Sequence, residues 1–79
     1  MNIINADYTL DCRGLSCPMP LLKTYKTLAT MRSGEILELW GTDPGTKNDI
    51  EMAVTKAGDE YLGFREDEGF TRYFIKKGK

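Results

Sequence analysis

The chain is 79 residues long and nearly charge-balanced, with 11 Lys and Arg against 12 Asp and Glu and a formal net charge of −1. With 41% hydrophobic and 29% charged residues it reads as one globular domain over 1–79, short enough to bury only about 60–65% of its unfolded surface. No apolar run approaches the ~20 residues of a membrane span, the balanced charge speaks against direct nucleic-acid binding, and the start Met1-Asn2-Ile3-Ile4-Asn5-Ala6-Asp7 lacks the basic and apolar regions of a signal peptide.

Residues 1–6 are expected to fray. Tyr8-Thr9-Leu10-Asp11-Cys12 alternates apolar and polar side chains, the period of a half-buried strand. Arg13-Gly14-Leu15-Ser16 reads as a turn. Cys17-Pro18-Met19-Pro20 then leads into a helix whose Leu21, Leu22, Tyr25, Leu28 and Ala29 fall within one arc of about 120°. Lys23, Lys26, Thr27 and Thr30 take the other side, Arg32 falls in the last turn, and Gly34 is the expected stop. Glu35-Ile36-Leu37-Glu38-Leu39-Trp40 is a second strand, with Leu37 and Leu39 on one face and Ile36, Glu38 and Trp40 on the other. Thr42-Asp43-Pro44 opens a second helix with Pro44 at its first position, a stripe of Ile50, Ala53, Val54 and Ala57, and Gly58 at its end. Strands over 61–66 and 70–76 are joined by the hairpin Asp67-Glu68-Gly69.

The order β-α-β-α-β-β, with one apolar stripe per helix, predicts an α/β fold: a four-stranded mixed sheet with two helices packed on one face. The first two strands, joined through a helix, should run parallel with a right-handed crossover. The other face should be open to solvent, carrying Ile36, Trp40, Arg72 and Phe74. Trp40 is there either a docking residue or an exposed aromatic without a role.

Histidine is absent, which removes imidazole bases and Cys-His or Ser-His nucleophile pairs. Two cysteines without histidine make a poor zinc site, so no metal is expected. Without an export signal, the reducing cytoplasm is the expected compartment, where thiols are more often catalytic or redox-active than structural.

Cys17-Pro18-Met19-Pro20 is the most informative stretch. Prolines are tolerated in a first helical turn because those N–H groups have no intrahelical partner. Cys17 is therefore read as the N-cap and Pro18 as the first helical residue, leaving the N–H groups of Met19 and Leu21 to meet the sulfur. A thiol at the positive end of the helix dipole ionises below the free value of about 8.5, and Arg13 and Lys23 could add to this. Cys17 is thus either a small cap or a reactive thiolate; cysteine is a poor cap, which favours the second. Cys12 shares the parity of Tyr8 and Leu10, so it is either a small core residue or a second thiol that closes a disulfide with Cys17. Asp43 reads as the cap of the second helix, and both helices starting at one sheet edge could bring it near the sulfur. Lys47 opposes its helix dipole, which points to a role in docking or charge support.

The run Leu10-Asp11-Cys12-Arg13-Gly14-Leu15-Ser16-Cys17-Pro18-Met19-Pro20 resembles the signature of the TusA/SirA-like sulfur-carrier family. The resemblance extends from Tyr8 to Lys77, through Met31 to Gly34-Glu35, Asp43-Pro44 to Asp49-Ile50, and Arg72-Tyr73-Phe74-Ile75-Lys76-Lys77. It implies a two-layer α/β sandwich and a sulfane sulfur carried as a persulfide on Cys17, with no other cofactor. It implies as partners a cysteine desulfurase or rhodanese-like donor and a downstream sulfur-acceptor protein, toward tRNA 2-thiolation, molybdenum cofactor synthesis or sulfur oxidation. The chain departs from the family at Cys12, where relatives often carry a small residue, and at Asn48, where they carry a basic one. The alternatives are a dithiol redox protein using Cys12 and Cys17, and a regulatory interaction module without chemistry.

Overall fold

The computed structural model describes residues 5–16 and 18–78. Its elements are β1 (Tyr8–Cys12), α1 (Met19–Thr30), β2 (Ile36–Gly41), α2 (Pro44–Lys56), β3 (Glu60–Asp67) and β4 (Phe70–Lys76). The strands form one sheet in the order β1-β2-β4-β3, with β1 and β2 parallel and the other pairs antiparallel. This is the element order and mixed sheet that the patterning predicts. Residues 5 and 6 carry no regular secondary structure; the rest of the stretch expected to fray, 1–4, lies outside the described residues.

Alternation in the strands sorts the two sheet faces. Leu37 and Leu39 of β2 and Ile75 of β4 are fully buried, and Tyr73 is 1% exposed. They join Cys12, Leu28 and Met31 with Ile50 and Val54 of α2 in one core, so both helices cover the same face. Each fully buried aliphatic side chain contributes about 1.5–3 kcal/mol by leaving water. In the β3–β4 hairpin Tyr61 pairs with Ile75 and Gly63 with Phe74, which leaves Leu62 as the extra residue of a bulge. Gly63 has φ +125 there, a conformation that a side chain would strain.

The apolar stripe of α1 is rotated from its predicted position. Pro20, Thr24 and Leu28 are its buried residues, while Leu22 and Tyr25 are 48% and 40% exposed and Ala29 is exposed too. The reason is Thr24, whose hydroxyl donates to the Pro20 carbonyl at 2.7 Å. With its polar atom satisfied inside the helix, the residue packs as a small apolar group. The helix also ends earlier than expected. Met31 is its C-cap, Arg32 lies beyond the last turn, and Gly34 (φ +91) instead bonds through its N–H to the Lys77 carbonyl. On α2 the buried residues are Thr46, Ile50 and Val54, with Ala53 half-buried and Ala57 exposed at the C-cap.

The far sheet face is less open than predicted. Phe74 is 7% exposed, and Ile36, Trp40 and Arg72 are half-buried. Side chains from the loop after β1 and from the hairpin lie over it.

Cys12 is 0% exposed inside the core, opposite Gly41 of β2. Replacing Cys12 with Ala should keep the fold and lower unfolding free energy by about 1 kcal/mol at most. A urea midpoint shift with an unchanged slope is the measurement.

Candidate functional site

Parallel pairing of β1 and β2 brings their C-terminal ends, Cys12 and Gly41, side by side. The chain leaves each strand there to begin a helix, so both helix starts share one sheet edge, as predicted. The loop between β1 and α1 crosses this edge under close restraint. The Leu15 N–H donates to the Cys12 carbonyl at 3.1 Å, and the Leu15 side chain packs against the core. Gly14, at φ +83, turns its N–H onto the Thr42 hydroxyl at 2.9 Å. This bond ties the loop to the start of α2.

Beyond position 17, Pro18 stands at the N-cap of α1 (φ −98, ψ 8), Met19 is the first helical residue and Pro20 the second. The helix therefore starts one residue later than the sequence predicts, with Pro18 rather than Cys17 as the cap and Met19 rather than Pro18 as the first helical residue. The Pro18 carbonyl accepts the first helical bond, from the Leu22 N–H at 3.0 Å. Met19 donates its own N–H to the Ser16 carbonyl at 3.0 Å, so that N–H does not wait for the sulfur. A backbone carbonyl within reach is a stronger acceptor than a thiol. Both prolines occupy positions where a missing N–H costs no helical bond. Cys17 itself lies outside the described residues; its two neighbours in sequence belong to this braced turn.

Asp43 caps α2, its Oδ1 accepting from the Gly45 N–H at 3.2 Å, next to the Thr42 that holds the loop. Thr46, in the first turn of α2, is fully buried, and its hydroxyl makes no hydrogen bond among the described residues.

The basic residues singled out from the sequence divide into two sets. Arg13 is engaged within the fold: Nε and Nη2 donate to Asp11 Oδ1 and Oδ2 at 2.9 and 2.8 Å. This fork holds the Asp11 carboxyl below the usual carboxylate range. The Arg13 guanidinium lies 4.8 Å from the Trp40 ring centroid and 5.1 Å from that of Phe70. Lys47 is engaged as well, with its ammonium on Glu66 and 4.6 Å from the Phe64 ring centroid. That pairing offsets its unfavourable place near the helix start. Each of the two thus has a carboxylate partner within the fold. Lys23 makes no ion pair among the described residues. It lines a shallow groove of about 430 Å³ with Met19, Leu22, Tyr25 and Lys26 on the exposed face of α1.

Trp40 is neither an exposed docking ring nor idle. Its indole N–H donates to Glu38, and its ring tilts against Phe70 at 5.2 Å between Arg13 and Arg72. Arg72 in turn donates to Glu38 and Asp67. Sequence reasoning missed Thr42 and Phe70. A threonine directly before Asp43-Pro44 was a usable signal; the Phe70 stack depends on strand order and carried none.

The Cys12 thiol is pushed up from its ordinary pKa by burial, with Lys23 opposing in part. That keeps it protonated and away from disulfide chemistry. Among the described residues no group of three His, Cys, Asp or Glu side chains could hold a metal ion, and no helix is long and apolar enough to cross a membrane.

Comparison with known proteins places this arrangement. The sequence profile of the family Sulfurtransferase TusA matches residues 8–77. The sulfur carrier protein TusA of Allochromatium vinosum is 39% identical over 71 residues, covering 90% of this chain and 93% of that protein. YrkF of Bacillus subtilis is 40% identical over 76 residues, but the chain spans only 41% of its length. Among solved structures, a SirA-like protein from Desulfitobacterium hafniense shares the fold with a TM-score of 0.72 at 24% identity, covering 91% of this chain and 99% of that one. By this extent of match, the chain belongs to the TusA sulfurtransferase family.

Proposed function

We propose that the chain is a sulfur carrier that holds a sulfane sulfur as a persulfide on Cys17 and works as a single domain with protein partners in the reducing cytoplasm. The observation that carries this reading is the 0% exposure of Cys12, which leaves Cys17, within the Cys-Pro-x-Pro motif, as the thiol for exchange between proteins. Burial of Cys12 also removes support from the dithiol reading.

In the proposed cycle the Cys17 thiolate attacks the outer sulfur of a donor persulfide. The new S–S bond forms at Cys17 as the donor's own S–S bond breaks, and the donor cysteine leaves as a thiolate with the bonding electron pair. The proton stays on the transferred sulfur, so charge and redox state balance. An acceptor thiolate then attacks that same outer sulfur, and Cys17 leaves as a thiolate. A low thiol pKa serves both steps, as nucleophile and as leaving group. The proposed donor is a cysteine desulfurase or rhodanese-like enzyme, and the proposed acceptor a further carrier or thiolating enzyme.

Replacing Cys17 with Ser should keep the fold and abolish the one-sulfur mass gain seen on incubation with cysteine and a desulfurase. A persisting gain on that variant would remove Cys17 from the role.

Alkylation of Cys17 followed against pH should give a midpoint below the ~8.5 of a free thiol. A midpoint at or above that value contradicts stabilisation by the start of α1.

Lys23 remains as a docking cation beside the helix start, whereas Arg13 and Lys47 are paired within the fold. Charge reversal, Lys23→Glu, should slow transfer from the donor several-fold at low salt, and the deficit should shrink as salt screens the contact. The ratio of variant to parent rates across ionic strength is the measurement.

A further inference from the structure

We infer that Arg13 is a positioning residue for sulfur transfer: its guanidinium plane, clipped to Asp11 and laid against Trp40 and Phe70, sets the loop that leads into Cys17, and its charge is not used in docking. The inference rests on the sulfur-carrier reading above and adds a residue to it.

The loop grips the sheet from both sides. Cys12 and Leu15 anchor it in the helix-side core, and Gly14 bonds to Thr42 along the edge. Arg13 points to the other face, where Trp40 and Phe70 receive its guanidinium at 4.8 and 5.1 Å. Two further hydrogen bonds fix its plane through Asp11, and the Arg13 backbone N–H donates to the same carboxylate at 3.1 Å. Trp40 is itself braced from its other partners, Phe70 and Arg72, with Arg72 tied to Glu38 and Asp67. The loop is thus referenced to three strands of the sheet before the chain reaches position 17.

Two features separate this role from that of a surface cation. The Asp11 carboxylate holds the Arg13 fork at 2.8 Å in one orientation, with both side chains about half exposed. The fork onto Asp11 also depends on two guanidinium N–H donors held in one plane, which lysine lacks. With Cys12, Gly14 and Leu15 still anchored, loss of Arg13 leaves the fold standing and the loop less well aimed. Transfer between two proteins needs the attacking sulfur close to and in line with the donor S–S bond, so its rate falls steeply with small misplacements.

The test compares the full-length parent with Arg13→Lys, Arg13→Ala and Asp11→Asn, with circular dichroism as the fold check. Each is assayed for sulfur uptake from a cysteine desulfurase charged with cysteine, over a range of desulfurase concentration and salt. Positioning predicts that Arg13→Lys and Arg13→Ala lose about 3- to 10-fold in limiting rate alike, with half-saturation nearly unchanged and no new salt dependence. Asp11→Asn, which frees the Arg13 charge, should also be slower. In parallel, iodoacetamide, a neutral probe needing no donor, should show the Cys17 midpoint moving toward the free-thiol value equally in the Lys and Ala variants. A parental rate and midpoint in Arg13→Lys, or an Asp11→Asn protein faster than the parent, overturns the inference. A parent that takes no sulfur overturns the carrier reading instead, and the alkylation series then decides the role of Arg13 alone.

Discussion

Parallel pairing of β1 with β2 is the constraint on which the rest of the molecule depends. Tyr8 pairs with Leu37, and the register runs without interruption to Cys12 opposite Gly41. Strands that run the same way end at the same edge, and each must be followed by a crossover long enough to return. Here both crossovers begin with a helix, so two helix N-termini meet at one place. The Gly14–Thr42 hydrogen bond joins the two chain exits. Had the strands been antiparallel, the Cys-Pro-x-Pro turn and the cap of α2 would lie at opposite ends of the sheet.

Around that edge the chain is stiffened covalently. Pro18 and Pro20 set the backbone of the first turn, and the Met19 N–H closes on Ser16 across position 17. The proposed exchange of a single sulfur atom with other proteins does not require an enclosed substrate. It needs a placed thiol and a surface that others can approach, and the exposed Met19, Leu22 and Lys23 face of α1 adjoins that thiol in sequence.

The far face of the sheet has a different character. Trp40, Phe70, Arg13 and Arg72 form a mutually braced group with Asp11, Glu38 and Asp67 as its counter-charges. A sheet with helices on one side leaves its other side to be covered by its own long side chains, which bury aliphatic stems while keeping charge in water. Phe74 is sheltered to 7% exposure on this face.

Strand and helix order, the sheet's mixed pairing, the Asp43 cap, the core position of Cys12 and the signature around Cys17 were all legible in the residues themselves. Each rests on a local rule: period-2 alternation, a proline in a first turn, an Asx before it, or a short motif. The buried stripe of α1 was not, because a threonine counts as polar until its hydroxyl finds the carbonyl of Pro20. The use made of Arg13 and Lys47 was not legible either. Near Cys17, or at a helix start, each reads as a free cation; tertiary contact gives Arg13 to Trp40 and Phe70, and Lys47 to Glu66 and Phe64. The sequence by itself determined which elements form and which thiol carries the motif, since those follow from neighbours along the chain. Only the tertiary structure decided where these charges lie, because Trp40 and Phe70 are 27 and 57 positions from Arg13, and Phe64 and Glu66 are 17 and 19 positions from Lys47, and their approach is set by the order of strands.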